Sequence, residues 1–284
     1  MNSQKLWRTS RPRFWIYVFG PYIVGLIAGT PNPQALLSPL IIAFGAFFLF
    51  PANLLIYGVN DAFDYETDIR NAKKEKYETL LHPPERPHLW RVVGWSCLPF
   101  LLILPFTSTR CMLAMCGFLF FSLFYSAPPI RAKAQPILDS VFNVLYIFPG
   151  AFGYFLAGGA NFSLPVFAML FGAAWLWAMA MHAYSAVPDI SADNEARIRT
   201  VATCFGFQKT LQLCAFWYFC AAGFAFLTLG YLSVFLGAIY LALMGVSMRA
   251  KTESELLRVY RWFPIINTLC GFVIFWAIAI ARFF

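Results

Sequence analysis

Apolar residues run in long blocks along this chain, and polar residues gather in the short stretches between them. Nine blocks stand out, at about 14–30, 37–59, 89–105, 111–125, 138–158, 164–184, 210–229, 231–248 and 263–281. Most have the length of about 17–25 residues that carries a helix across hydrocarbon. The fourth is short and must tilt or begin earlier. The pattern predicts an all-α integral membrane protein of about nine transmembrane helices, forming one polytopic domain over residues 1–284.

Composition supports that reading. The chain is 60% hydrophobic and only 12% charged, against about 25% charged for an ordinary soluble domain. The few charges are sorted. With nine spans, the N-terminus and the even-numbered loops share one side. Every Lys and Arg except Arg110 and Arg282 falls there or at the adjoining helix ends, as do all 13 acids. Basic excess marks the cytoplasmic face. The expected location is the cell (inner) membrane, multi-pass, with the N-terminus and the chemistry cytoplasmic. The net charge of +8 then belongs to a face that lies against membrane lipid and attracts anionic substrates. It implies no nucleic acid.

Other features read as packing. The seven cysteines lie in or beside apolar blocks and none forms C-x-x-C, so they serve neither a disulfide frame nor a metal site. Gly25 and Gly29 make a G-x-x-x-G that suits close helix approach. The first apolar block is too long for a typical leader peptide and lacks a clear cleavage site.

Three polar stretches carry the candidate chemistry. The first, "NDAFDYETD" at 60–68, follows an apolar run. At about 100° per helical residue, Asp61, Asp64 and Asp68 fall within about 60° of one another, with Asn60 one turn before Asp64. Carboxylates so gathered need positive charge. The second, "HAYSAVPDISADNEARIRT" at 182–200, puts Asp189 and Asp193 four apart, with Pro188 suited to a helix start. The third, "YSAPPIRAKAQP" at 125–136, offers Arg131 and Lys133 from an extended turn, alternate residues pointing the same way. A guanidinium and an ammonium on one face suit phosphate oxygens.

Two acidic helix ends and a basic loop on one membrane side suggest Mg2+ ions sharing one diphosphate. Mg2+ takes one or two protein carboxylates together with substrate phosphate and water. A transporter would instead place ionisable groups near the bilayer midplane, where none is found. A soluble prenyl-chain synthase or cyclase would not need nine apolar spans, and a scaffold would not need paired carboxylates.

The three stretches resemble motifs of the UbiA-type intramembrane prenyltransferases: N-D-x-x-D-x-x-x-D, D-x-x-x-D and Y-S-x-x-P-x-R-x-K, in the same order. The resemblance covers the whole chain. It implies nine helices around a central cavity with a cytoplasmic helical cap, and Mg2+-dependent transfer of an isoprenyl group from a prenyl diphosphate to a lipophilic acceptor. It implies Asn60, Asp61, Asp64, Asp68, Asp189 and Asp193 as metal ligands, with Asp64 and Asp189 central to catalysis. Arg131 and Lys133, helped by Arg11 and Lys73, would grip the diphosphate.

"SRPRFWIYVFGP" and "HAYSAVPDISAD" are most similar to the carotenoid-prenylating branch, the lycopene elongases, although Arg197 stands where that branch commonly carries glycine. That implies dimethylallyl diphosphate as donor and lycopene, or a related linear polyene, as acceptor. The alternative is an aromatic quinone precursor or another polar-headed acceptor. Many quinone-pathway members carry Arg-Pro downstream of the first acidic motif, where this chain reads "KKEKYETLL". An allyl cation released in such a cavity must be kept from water and can be held against aromatic faces. His182 reads either as a hydrogen-bonded core residue or as a base. Asp139, at the entrance of the fifth block, is a further carboxylate with no assigned part.

Overall fold

The computed structural model describes residues 1–65, 69, 80–160 and 162–284. The described residues contain helices and turns and no strand. The helices are α1 (Ser3–Thr9), α2 (Ile16–Gly29), α3 (Pro39–Leu49), α4 (Pro51–Phe63), α5 (Arg86–Ile103), α6 (Thr109–Ser126), α7 (Leu138–Val141), α8 (Phe148–Leu156), α9 (Leu164–Ala186), α10 (Ile190–Glu195), α11 (Val201–Leu229), α12 (Tyr231–Ser247), α13 (Glu253–Tyr260) and α14 (Phe263–Phe283).

Six stretches among the described residues are helical, long and apolar enough to cross a membrane: Pro39–Phe63, Pro83–Phe106, Thr109–Ser126, Leu164–Glu195, Val201–Leu229 and Glu253–Phe283. Ile16–Gly29 and Tyr231–Ser247 are shorter apolar helices. The fifth apolar block is no single helix but α7, a 3-10 segment Phe142–Tyr146 and α8. The protein is therefore a multi-pass membrane protein with at least six long spans. The expected nine are not all present as uninterrupted helices. Large apolar side chains such as Trp95, Leu102, Phe106, Phe219 and Phe235 stand exposed. Patches of that kind do not suit water but cost nothing against lipid tails.

Helix boundaries follow local chemistry. Pro39, Pro51 and Pro165 sit in first turns, where a missing N–H costs least. Ser108 and Thr200 accept from the backbone N–H three residues on. Pro51 splits the second block into α3 and α4. The carbonyls of Phe48 and Leu49 lie just before that break, and the Asn53 Nδ2 donates to both at 3.0 Å. A buried asparagine thus repairs a proline break where no water is at hand.

The chain divides into two compact units: residues 1–131, 148–159 and 277–284, and residues 132–147 and 160–276. In the first, Phe44, Phe47, Phe48, Phe118 and Phe152 are fully buried, with Phe44 and Phe152 rings centred 4.6 Å apart. Here α2 lies directly against α8. A Cβ built on Gly25 would land on the Gly150 carbonyl, and one on Gly29 on the Tyr154 carbonyl, so the glycine pair does permit close backbone approach. Arg282 Nη2 reaches the Thr30 carbonyl, at the end of α2, at 2.7 Å. In the second unit, Tyr218 stacks on Tyr240 at 4.6 Å, and Tyr184 donates to or accepts from Ser247 Oγ at 2.8 Å.

Gly25→Ala should destabilise the protein by about 1–3 kcal/mol, because the backbone atoms it meets cannot give way as a side chain would. Unfolding in detergent, compared with Gly94→Ala, where a Cβ meets nothing within 4 Å, checks this.

Candidate active site

The described part of the first acidic stretch does not keep Asp61 and Asp64 on one face. Helix α4 ends at Phe63, and Asp64 takes the C-cap with φ −107° and ψ 5°. Asn60 turns toward the last residue of α6 and Asp64 toward the segment that follows it. Asn60 Nδ2 donates to Ser126 Oγ at 3.1 Å, and Asp64 Oδ1 lies 3.7 Å from Arg131 Nη2. Asp61 turns elsewhere. It is only 1% exposed and accepts from Arg11 Nη2 at 2.8 Å. The Arg11 guanidinium also lies 4.8 Å above the Tyr57 ring, one helical turn before Asp61. Asp68 and Lys73 lie outside the described residues.

The basic stretch also differs from the extended segment expected. The backbone turns after Ser126, through a cis Pro128–Pro129 bond, and Arg131 N–H closes the turn onto the Ala127 carbonyl at 2.9 Å. Arg131 has φ 45°, and Lys133 sits in a 3-10 turn, Ala132–Ala134. Alternation along a strand therefore does not set their directions. The Arg131 side chain is half-exposed, whereas Lys133 Nζ is shielded from solvent.

In the second unit α9 runs out at Ala186 into a 3-10 turn, Val187–Asp189, with Pro188 in its first turn. Asp189 is the N-cap residue of α10 and makes no side-chain capping bond. Asp193 lies within α10. Ser191 donates to Glu253 Oε1 from Oγ at 2.7 Å and from N at 3.2 Å, tying α10 to the start of α13. The helix closes with Ile198 N–H on the Asp193 carbonyl at 2.8 Å and Arg197 N–H on that of Asn194 at 3.1 Å. This is the Schellman pattern, whose C′ residue is left-handed and usually glycine. Here it is Arg197, φ 56°. The backbone accounts for the glycine common at this position. Asp139, fully buried, follows the basic stretch and accepts from Val201 N–H at 2.7 Å, holding the chain as it enters α11.

Ser126, Tyr57 and Glu253 were not singled out from the sequence. Ser126 lies inside the "YSAPPIRAK" stretch and Tyr57 one turn before Asp61, so spacing pointed near both. Nothing local marks Glu253. Among the described residues no three of His, Cys, Asp and Glu gather closely enough to hold a metal alone. Each unit offers hard oxygen donors: in the first, Asp64 and the Asn60 amide beside one arginine; in the second, Asp189 at the N-cap of a short helix and Asp193 within it. These suit a cation that also draws ligands from a bound phosphate.

A profile of the UbiA prenyltransferase family matches residues 18–263. The chain belongs to the UbiA prenyltransferase family. It is accordingly an enzyme that transfers prenyl groups. Among relatives of this UbiA protein is a lycopene elongase/hydratase of Haloarcula japonica, 39% identical over 94% of this chain and 88% of its own length. Another, of Haloferax volcanii, is 38% identical over 93% and 85%, and one of Corynebacterium glutamicum is 31% identical over 75% and 74%. The fold is similar to that of a UbiA homolog from Archaeoglobus fulgidus bound to GPP and Mg2+, with TM-score 0.74 at 21% identity over 97% of this chain and 99% of that one. A structure of that homolog bound to DMAPP and Mg2+ gives 0.68 at 20% identity, with the same coverage.

Two outcomes follow from the geometry. Asp61→Ala should cost about 3–5 kcal/mol in detergent unfolding, because it removes the carboxylate that meets a largely buried guanidinium. Asp64→Ala, which faces a half-exposed arginine, should cost much less. Arg197→Gly should raise stability by about 1 kcal/mol by relieving the left-handed backbone, read from the same unfolding curves.

Proposed function

We propose that this enzyme moves dimethylallyl groups from dimethylallyl diphosphate to lycopene or a closely related linear polyene, in a Mg2+-dependent reaction. The observation that carries this reading is the likeness, over most of the chain, to lycopene elongase/hydratases from three organisms. The family match runs through both compact units, which supports taking residues 1–284 as one catalytic domain. The placement of nearly all basic residues on one side supports a cytoplasmic site in the cell membrane.

Asn60, Asp64, Asp68, Asp189 and Asp193 are the residues that would hold Mg2+. When bound, the metal supplies the positive charge that lets diphosphate leave. Asp61 is proposed in the same set, and its carboxylate also holds Arg11. Arg11, Lys73, Arg131 and Lys133 bind phosphate oxygens. Asp64 and Asp189 are the carboxylates on which donor ionisation depends most. As diphosphate departs with the electron pair of the C–O bond, the acceptor alkene supplies its π pair to the allyl carbon. An alkene needs no deprotonation before it attacks, so an apolar cavity suffices. Lycopene has no charged head, and its recognition rests on apolar burial, worth roughly 25 cal/mol per Å².

Expression in a bacterium that accumulates lycopene tests this. Pigment masses should show one and then two added five-carbon units, with or without water. Asp64→Asn and Asp189→Asn should abolish the products while the proteins still insert, and chelation should stop the purified enzyme until Mg2+ is restored. Unmodified lycopene, together with prenylation of 4-hydroxybenzoate by the purified protein, would overturn the acceptor.

A further inference from the structure

Prenyl addition to an alkene leaves a tertiary cation, and the reaction ends only when a proton departs. Either a C–H bond beside the cation gives up its proton and its electron pair closes a new double bond, or water adds its oxygen and loses a proton to give the alcohol. A base is required in both cases, and the metal and diphosphate ligands named so far do not supply one in the apolar region.

The second unit holds a candidate. His182 on α9 lies with Nε2 3.7 Å from Asp139 Oδ2, at 16% side-chain exposure for the histidine and 0% for the aspartate. Asp139 is held on every side. Oδ1 accepts from Ser140 N–H at 2.7 Å, Oδ2 accepts from Val201 N–H at 2.7 Å, and the Asp139 carbonyl accepts from Asn143 Nδ2 at 2.6 Å. Val201 opens α11, which is kinked five residues on at Gly206 (φ 75°, ψ 174°), so the carboxylate caps a short first segment of that helix. A carboxylate so placed is fixed in position beside the imidazole. It is placed to neutralise the imidazolium formed if His182 takes a proton, as the aspartate of a catalytic triad does.

Depth supports the pairing. His182 lies one turn before the end of α9 at Ala186, and Asp189 closes the 3-10 turn that follows, so the two are roughly 12 Å apart along the chain axis. A five-carbon donor held by its diphosphate at Asp189 and Asp193 reaches inward by a few bond lengths, and the new cation forms on the acceptor just beyond it. We infer that His182, positioned by Asp139, accepts the proton that ends prenyl transfer. The 3.7 Å separation is the loose spacing that unliganded acid–base pairs show before substrate tightens them.

This inference rests on the proposed prenyl transfer to lycopene, so the test separates the two. Purified protein is given dimethylallyl diphosphate, Mg2+ and lycopene, and both diphosphate release and elongated carotenoid are measured. His182→Gln should lower carotenoid yield about a hundredfold, the usual scale for a lost acid–base group, while diphosphate release falls far less and five-carbon alcohol accumulates. Asp139→Asn should shift the same ratio, and imidazole should restore part of the yield in His182→Ala. Wild-type yield and product ratio in His182→Gln would overturn the inference. So would a parallel loss of diphosphate release, yield and thermal stability in both histidine variants with no rescue, which marks a packing role. A wild-type enzyme that releases diphosphate without elongating lycopene would overturn the function itself, and this inference with it.

Discussion

Inside hydrocarbon, a backbone amide or carbonyl that loses its helical partner has no water to turn to. Much of this structure answers that constraint. Where Pro51 breaks the second span, Asn53 serves the carbonyls of Phe48 and Leu49. Where α2 stops, Arg282 meets Thr30. Where α11 begins, Asp139 receives the Val201 amide. Asn53 and Asp139 are fully buried, a cost each offsets at a break. The candidate chemistry sits at such discontinuities: Asp64 at the end of α4, Arg131 in a left-handed turn, and Asp189 between a 3-10 turn and a short helix.

Charge is handled in the same way. Carboxylates on neighbouring helical positions repel, and α4 relieves this by sending them to different partners. Asn60 and Asp64 turn to Ser126 and Arg131, and Asp61 turns to Arg11. The first group keeps a half-exposed arginine at its edge. In the second, Asp61 is buried while Arg11 keeps partial exposure, with Tyr57 below the guanidinium. One short motif thus joins two different parts of the chain.

Much of this was legible in the sequence because membranes impose simple rules. Long apolar blocks had to be helices, and the three polar stretches between them carried the family motifs. The breaks were less legible. Nothing in the apolar block at 138–158 announces that α7, a 3-10 segment and α8 replace one helix. The direction of Asp61 was also hidden, since helical spacing groups it with Asp64 and only a distant partner, Arg11, turns it away. Arg131 and Lys133 were placed on an extended segment because prolines favour one, but the turn that forms is closed by a backbone hydrogen bond to Ala127. Sequence spacing predicts neighbours on one element and does not report which long-range partner captures a side chain.

The Arg11–Asp61 pair has a meaning for the order of biosynthesis. Its members are 50 residues apart, and α2, α3 and α4 lie on the chain between them. Arg11 is synthesised before Asp61. Asp61 can reach it only after the intervening chain has entered the bilayer as a helical hairpin and come back. The ion pair therefore acts as a latch on the first completed hairpin: it closes only if insertion has returned α4 to the side where the chain began.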